Sequence, residues 1–346
     1  MENAIKSAGQ ELDRIHLYQK TEWDKEISKT GYSALDNILG GGIFPRLYVV
    51  GGDTSTGKTT FALNLANRIA EAGRTVLFFT MEQTVEEMIA RSLSRQTALC
   101  DQNSAWTENQ ILYYSKAEDR QRERAQRCYR EAEAIFSTKA GKHLFFIPGR
   151  RAAMGLTVEQ AEATTATEGK AATDQIGILE YAEILGRGSL VPPVVIVDYL
   201  QIMRAEPGSS HLTEREQINQ NIENLLKLKD QGSPVIAISS YNRSSYYKEE
   251  AGNAAFKGSG EIEYSADCLM FLSVPAEKKT EIRTINGKRQ QIEVEDQAAF
   301  RKSMGEDTRK IHLTVTKNRG AKYGGETELD YTPKYNLFEG GHIEYI

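Results

Sequence analysis

The chain has 346 residues, 40% of them hydrophobic, enough for one large domain or two ordinary ones and ample for a buried core. Its net charge of −5 excludes a protein that meets nucleic acid or anionic lipid through an overall basic field, so any DNA contact has to be local. The three cysteines, Cys100, Cys128 and Cys268, show neither CxxC nor Cys/His spacing, which argues against a zinc site or a disulfide framework. No apolar run approaches the roughly 20 residues of a membrane span, and the start MENAIKSAGQELDRIH lacks the apolar region of a signal peptide. A soluble cytoplasmic protein with no membrane partner is the expectation.

Residues 1–28 are polar, with scattered apolar positions at Leu12, Ile15, Leu17 and Trp23. The pattern suits either a helix that docks outside the main core, on an adjacent subunit, or a tail. The globular part is expected over 29–346, opening at Thr30-Gly31-Tyr32, with a turn at Gly40-Gly41-Gly42 before the first strand, Leu47–Val50. A helix from Lys58 to about Ala72 places Phe61, Ala62, Leu65, Ala66 and Ile69 on one buried face.

Between that strand and that helix lie Gly52, Asp53, Thr54, Ser55, Thr56, Gly57, Lys58 and Thr59, followed by Thr60. Glycine, four residues, then Gly-Lys-Thr is the spacing of a phosphate cradle. Glycine tolerates the unusual φ/ψ that turns successive backbone N–H groups inward at a β-phosphate. Lys58 would then reach the β- and γ-phosphates, the Thr59 hydroxyl would ligate Mg²⁺, and the helix N-terminus would add partial positive charge. These residues are the candidate nucleotide site.

Further along, a strand at Thr75–Phe79 follows the helix stop at Gly73, and Thr84-Val85-Glu86-Glu87 reads as a capping box opening the next helix. This alternation implies a parallel sheet. Between about 95 and 190 the pattern loosens. Lys116 to Glu133 alternates in charge sign, as a solvated or partner-facing helix does; His143–Ile147 is a short strand; Thr157–Gln160 is another capping box. Pro193–Asp198 is the strongest apolar run, a strand buried on both faces. A helix from Thr213 to Asp230 leads to strands at Pro234–Ile238, Cys268–Val274 and Lys310–Thr316, with a hairpin around Asn286-Gly287.

Asp198 ends its strand at the edge where parallel sheets place ligands, so its carboxylate is placed to hold the water shell of the Mg²⁺ bound by Thr59. Glu82 follows the neighbouring strand in the same way and is placed to polarise a water attacking a γ-phosphate.

Taken in order, TGYSALDNILGG, the phosphate loop with TTFALNLA, VLFFTMEQ, VIVDYLQIM, REQINQNIENLLKLKDQGSPVIAISSYNR, FKGSGEIEYSADCLMF and TVTKNRG resemble the ATPase domain of DnaB-type hexameric replicative helicases. The resemblance runs from Thr30 to about Leu337. It implies an α/β fold, a RecA-like P-loop NTPase core with a mostly parallel central sheet and helices on both faces. Segments at about 100–190 and 276–309, an inserted helical part and a β-hairpin, look like additions, where a loader or partner protein would bind. It also implies ATP and Mg²⁺ as cofactors, with Lys58 at the phosphates, Thr59 and Asp198 at the metal, and Glu82 activating water. Lys317 and Arg319 are implied to reach into the neighbouring subunit's site of a homo-oligomer, a hexamer in the family.

Single-stranded DNA would meet Lys257, Gly258, Ser259 and Gly260, where the family presents a loop to the central channel through backbone N–H groups and a basic side chain, with Lys248 adding charge. Two departures qualify this. Where the family usually carries a glutamine that senses the γ-phosphate, this chain has Ser240, and the expectation is of a chain lacking the separate N-terminal helical domain of primase-binding members. Two other readings stay open: an ATP-dependent oligomeric switch or scaffold with little unwinding, and a filament-forming recombinase, which VIVDYLQIM and TVTKNRG disfavour.

Overall fold

The β-branched runs of the sequence become the middle of one sheet. The computed structural model describes residues 7–9, 12, 27–52, 55–113, 121–149, 152–153, 176–186, 191–200, 213–239, 259–275, 278–285, 288–295, 302–321 and 324–344. Its first half comprises α1 (Ser33–Ile38), β1 (Leu47–Gly52), α2 (Lys58–Glu71), β2 (Val76–Thr80), α3 (Val85–Cys100), α4 (Glu108–Leu112), α5 (Gln121–Thr138), α6 (Ala140–His143) and β3 (Leu144–Pro148). There follow β4 (Ala152–Ala153), β5 (Ile176–Gly177), α7 (Ile178–Gly186), β6 (Val194–Asp198), α8 (Glu214–Asp230), β7 (Val235–Ile238), α9 (Ser259–Ser265) and β8 (Cys268–Ser273). The last strands are β9 (Lys278–Ile285), β10 (Lys288–Glu295), β11 (Arg309–Asn318), β12 (Gly325–Thr332) and β13 (Leu337–Glu344).

Nine strands form one sheet in the order β13-β12-β11-β8-β1-β7-β6-β2-β3. From β8 to β3 all pairings are parallel, whereas β11, β12 and β13 are antiparallel to their neighbours. Strands β1, β2, β6 and β7 are buried along their whole length because helices cover both faces. Alternate residues divide between the faces. Val50, Phe78, Ile196 and Met270 pack with Phe61, Leu65 and Ile69 of α2, while Val49, Phe79, Val197 and Leu269 pack with Ile178 of α7 and Ile222 and Leu225 of α8.

The expected mostly parallel α/β sheet is therefore present, with element ends shifted by a residue or two. Thr84 and Thr213 act as N-caps with Glu87 and Glu216 completing their boxes. Helix α5 is less solvated than its charge pattern predicts, since Cys128 and Ala132 are buried and the Cys128 thiol donates to Thr97 O on α3. The hairpin forms as β9 against β10; its Asn286-Gly287 turn and the Thr157–Gln160 box lie outside the described residues. Most of residues 1–28 also lies outside them; Ala8, Gly9 and Leu12 are helical, with Leu12 49% exposed. Strands β12 and β13 are an addition to the sequence expectation. Among the described residues, no helix is long and apolar enough to cross a membrane.

The face under α2 closes on an aromatic stack. Phe61 is fully buried, its ring 6.0 Å from that of Tyr32 and 5.6 Å edge-on from that of Phe338. Replacing it leaves a cavity between three rigid elements, so Phe61→Ala should lose about 3–5 kcal/mol of stability by urea unfolding. A loss below about 1 kcal/mol would show that β13 and α1 collapse freely onto α2.

Candidate nucleotide site

Strand β1 ends in Gly52, whose φ is +152°, and a Cβ there would lie 2.4 Å from the Leu272 carbonyl oxygen of β8. Only glycine lets the chain leave the sheet so close to its neighbour. Gly57 is held in the left-handed region with φ +85°, and a Cβ on it would meet the Tyr331 ring at 2.9 Å. Ser55, with φ +68°, takes a conformation that non-glycine residues rarely adopt. Around these turns Lys58, Thr59 and Thr60 begin α2, whose first turn carries no acidic residue, so its N-terminus keeps its partial positive charge. Lys58 Nζ donates to Gly52 O at 2.8 Å, which keeps the ammonium within the arch of the loop. Asp53 and Thr54 lie outside the described residues.

Two strands away, β6 ends in Asp198, and its side chain accepts a hydrogen bond from the Thr59 hydroxyl. Thr80 of β2 is in register with Asp198, and Met81 N donates to Asp198 O at 2.9 Å, bringing exposed Glu82 beside it. Thr59, Asp198 and Glu82 thus converge at the carboxyl-end edge of the parallel strands, as expected. The Asp198 carboxyl is raised to about 6 on balance: burial raises it most, the Thr59 hydrogen bond lowers it, Glu82 raises it, and Arg91 and Lys58 lower it. A hard oxygen pair, one hydroxyl and one carboxylate, beside a lysine and a helix N-terminus is a donor set that fits Mg²⁺ with a nucleotide polyphosphate.

The sequence pattern did not reveal three further contributors. Arg91 of α3 acts electrostatically on Asp198, and its Nε is 3.0 Å from a carboxylate oxygen of Glu108 at the start of α4. Arg309, at the start of β11, donates from a guanidinium nitrogen to Ser55 O at 2.7 Å and stands 5.0 Å over the Tyr331 ring. That ring stacks on Phe338 at 4.2 Å and floors the loop beneath Gly57. Neither arginine has a local signal: Arg91 shares its helical face with Glu87, Ser94 and Arg95, and 254 residues separate Arg309 from Ser55.

Lys317 and Arg319 are not brought to the phosphate loop of their own chain. Asn318 pairs with Cys268 at the start of β8, and Tyr48 near the start of β1 pairs with the same residue, so the two cations lie at the sheet edge opposite Gly52. There Lys317 Nζ donates to Glu263 O, and Arg319 donates to Tyr264 O at 2.7 Å, both at the carboxyl end of α9. Burial and the neighbouring Arg319 lower the Lys317 pKa.

The glycine segment expected as a loop differs. Ser259 and Gly260 are the first residues of α9, a helix that Ile262 anchors in the core; Lys248, Lys257, Gly258 and Ser240 lie outside the described residues.

A nine-stranded, mostly parallel sheet covered by helices on both faces, with a phosphate loop after β1 and a carboxylate at the end of β6, defines the RecA-like class of ATPase folds. Solved structures agree: the ATPase domain of G40P superposes with a TM-score of 0.64 over 96% of this chain and 99% of that one, at 17% identity. A DnaB-like replicative helicase, whose interactions with primase were described with its structure, superposes at 0.62 over 97% of this chain and 67% of that one, also at 17% identity. The family described as DnaB-like helicase C terminal domain matches residues 28–140 and 187–340, and the chain belongs to it. Curated relatives include the replicative DNA helicase DnaB of Pasteurella multocida, 28% identical over 267 residues, 75% of this chain and 50% of that protein. That of Haemophilus influenzae is 26% identical over 279 residues, 78% of this chain and 52% of that protein. The chain thus spans about half the length of these relatives.

Asp198 makes the site pH-sensitive in a definite direction. Its carboxyl titrates at about 6 when folded against an ordinary 3.8, so carrying charge there costs folding free energy at neutral pH, a cost relieved as pH falls through about 6 towards 3.8. In metal-free protein, wild type should therefore gain stability relative to Asp198→Asn between about pH 7 and pH 4. Urea unfolding of both proteins across that range checks it; parallel curves would mean that Asp198 has an ordinary pKa.

Proposed function

We propose that this chain is an ATP-hydrolysing, ring-forming DnaB-like helicase or translocase acting on single-stranded DNA. The observation that carries the proposal is the separation just described: the phosphate loop occupies one edge of the sheet and the Lys317/Arg319 pair the other. Both belong to one site only if two chains meet edge to edge.

In this reading the loop N–H groups and Lys58 bind the β- and γ-phosphates, while Thr59 and Asp198 hold Mg²⁺, Asp198 through its water shell. Bound Mg²⁺ and ATP supply the phosphoanhydride and neutralise part of its charge. Glu82 orients the attacking water and draws on its proton, while Arg91 adds positive charge from α3. Lys317 and Arg319 of the adjacent chain neutralise charge on the γ-phosphoryl oxygens as the β–γ bond breaks, which ties hydrolysis to assembly. Lys257, Gly258, Ser259, Gly260 and Lys248 form the DNA contact, sequence-independent because it reads phosphates. The last residues of α9 hold Lys317 and Arg319, so the helix that starts at this DNA segment ends at the cation pair.

The defining test is a mixing experiment. Arg319→Ala should lower ATP turnover on the order of a thousandfold, as removal of such a cation does elsewhere. Adding Lys58→Ala, inactive itself but with an intact Arg319, should restore turnover, because each variant supplies what the other lacks. Absence of recovery in mixed assemblies would sink the shared-site reading. Turnover measured against single-stranded DNA at fixed salt should rise with DNA; turnover indifferent to it would favour the oligomeric switch.

A further inference from the structure

Arg319 is 54% exposed along its side chain, and a long cation at that exposure ordinarily samples many rotamers. Here its surroundings fix it. Its backbone N–H donates to Asp267 O at 2.9 Å, one guanidinium nitrogen donates to Tyr264 O at 2.7 Å, and another lies 3.4 Å from Asp267 Oδ1. Asp267 is itself pinned by three contacts from two elements. Its N–H donates to Leu47 O at 2.9 Å, its Oδ2 accepts from Leu47 N at 3.0 Å, and Lys229 Nζ of α8 stands 3.4 Å from Oδ2. Its side chain is only 11% exposed. One carboxylate therefore joins the first residue of β1, the end of α8 and the guanidinium that follows β11.

As stabilisation, the Arg319–Asp267 pair contributes little, because an ion pair with a half-exposed partner sits in high dielectric. The Leu47 bonds already tie Asp267 to the sheet without Arg319. What the pair adds is direction, since Oδ2 is taken by Leu47 and Lys229 and Oδ1 faces Arg319.

We infer that Asp267 is a positioning residue for ATP hydrolysis in the neighbouring subunit, holding Arg319 in a fixed orientation on the rigid end of β1. The inference rests on the proposed donation of Arg319 across the subunit boundary. It predicts that Asp267→Asn, whose amide oxygen still accepts from Leu47 N–H, lowers kcat between about tenfold and a hundredfold, because misplacing a charge-stabilising group by about 1 Å costs on that order. KM for ATP should stay within about twofold and the thermal unfolding midpoint close to wild type, since the phosphate-binding residues are untouched.

The decisive readout is again mixing. Asp267→Asn should regain turnover when mixed with Lys58→Ala, whose Asp267 and Arg319 are intact, and Asp267→Asn with Arg319→Ala in one chain should be no slower than Arg319→Ala alone. If Arg319→Ala is rescued by Lys58→Ala but Asp267→Asn is not, the defect lies in its own chain and the positioning role is overturned while the shared site stands. If neither is rescued, the shared site itself fails and the role with it. Should light scattering show that Asp267→Asn does not assemble, Asp267→Glu, which keeps the charge but displaces it, carries the same test. A partial loss restored by Lys58→Ala supports the role; wild-type turnover or an unrestored loss overturns it.

Discussion

Strand β11 runs antiparallel to β8, while every strand from β8 to β3 is parallel, and this reversal decides where the chemistry falls. Running back along β8, β11 has its first residue, Arg309, at the phosphate loop and its last, Asn318, beside Cys268 at the far edge. Ten residues of strand span roughly 30 Å. One strand therefore braces its own loop at one end and delivers two cations to the opposite edge at the other. A parallel β11 would have put Lys317 and Arg319 at the edge that carries their own loop, and the proposed need for a neighbour would vanish.

The phosphate loop is costly to hold, and the antiparallel strands carry much of that cost. Positive φ at Ser55 is unfavourable for a residue with a Cβ, and such a conformation persists only where its surroundings over-determine it. Arg309 fixes the Ser55 carbonyl, and the stacked Tyr331 and Phe338 rings leave no room beneath Gly57 for any side chain. Asn64 ties the same region to α2: its Nδ2 donates to Asn336 O at 2.9 Å, and its Oδ1 accepts from Phe338 N and Arg95 Nε, both at 3.2 Å. Arg95 is buried and paired with Glu71 at 2.7 Å, so its charge is not left uncompensated. Strands that hold no part of the phosphate-loop motif thus set the loop's geometry.

That division explains what the sequence showed and what it hid. The loop, Glu82 and Asp198 were legible because their signals are local: glycine spacing, and carboxylates at or just after the ends of apolar runs. Strand β12 carries a local signal too, Glu326, Glu328 and Asp330 alternating with buried Thr327, Leu329 and Tyr331 as a half-buried strand does, yet it is missing from the expected strands. The helical start of α9 was hidden by glycine content, although Ile262 and Ala266 at its other end bury against the sheet. Arg309 and Asp267 were invisible for a deeper reason. Each acts across the chain, Asp267 on Leu47 at a separation of 220 residues, and nothing in their local spacing distinguishes them from surface charges.

The same nonlocality bears on how the site holds its charges. Burying Asp198 beside Glu82 costs folding free energy, and two cations, Arg91 and Lys58, only partly offset it, since desolvation outweighs them in setting the carboxyl's pKa. A carboxylate kept reluctant to ionise gains more from a divalent cation than one already well paired, because the cation relieves the penalty that burial imposes. Under the proposed Mg²⁺ role, the instability at Asp198 and the affinity for the cation are then one property, and a substitution that removed the first would weaken the second.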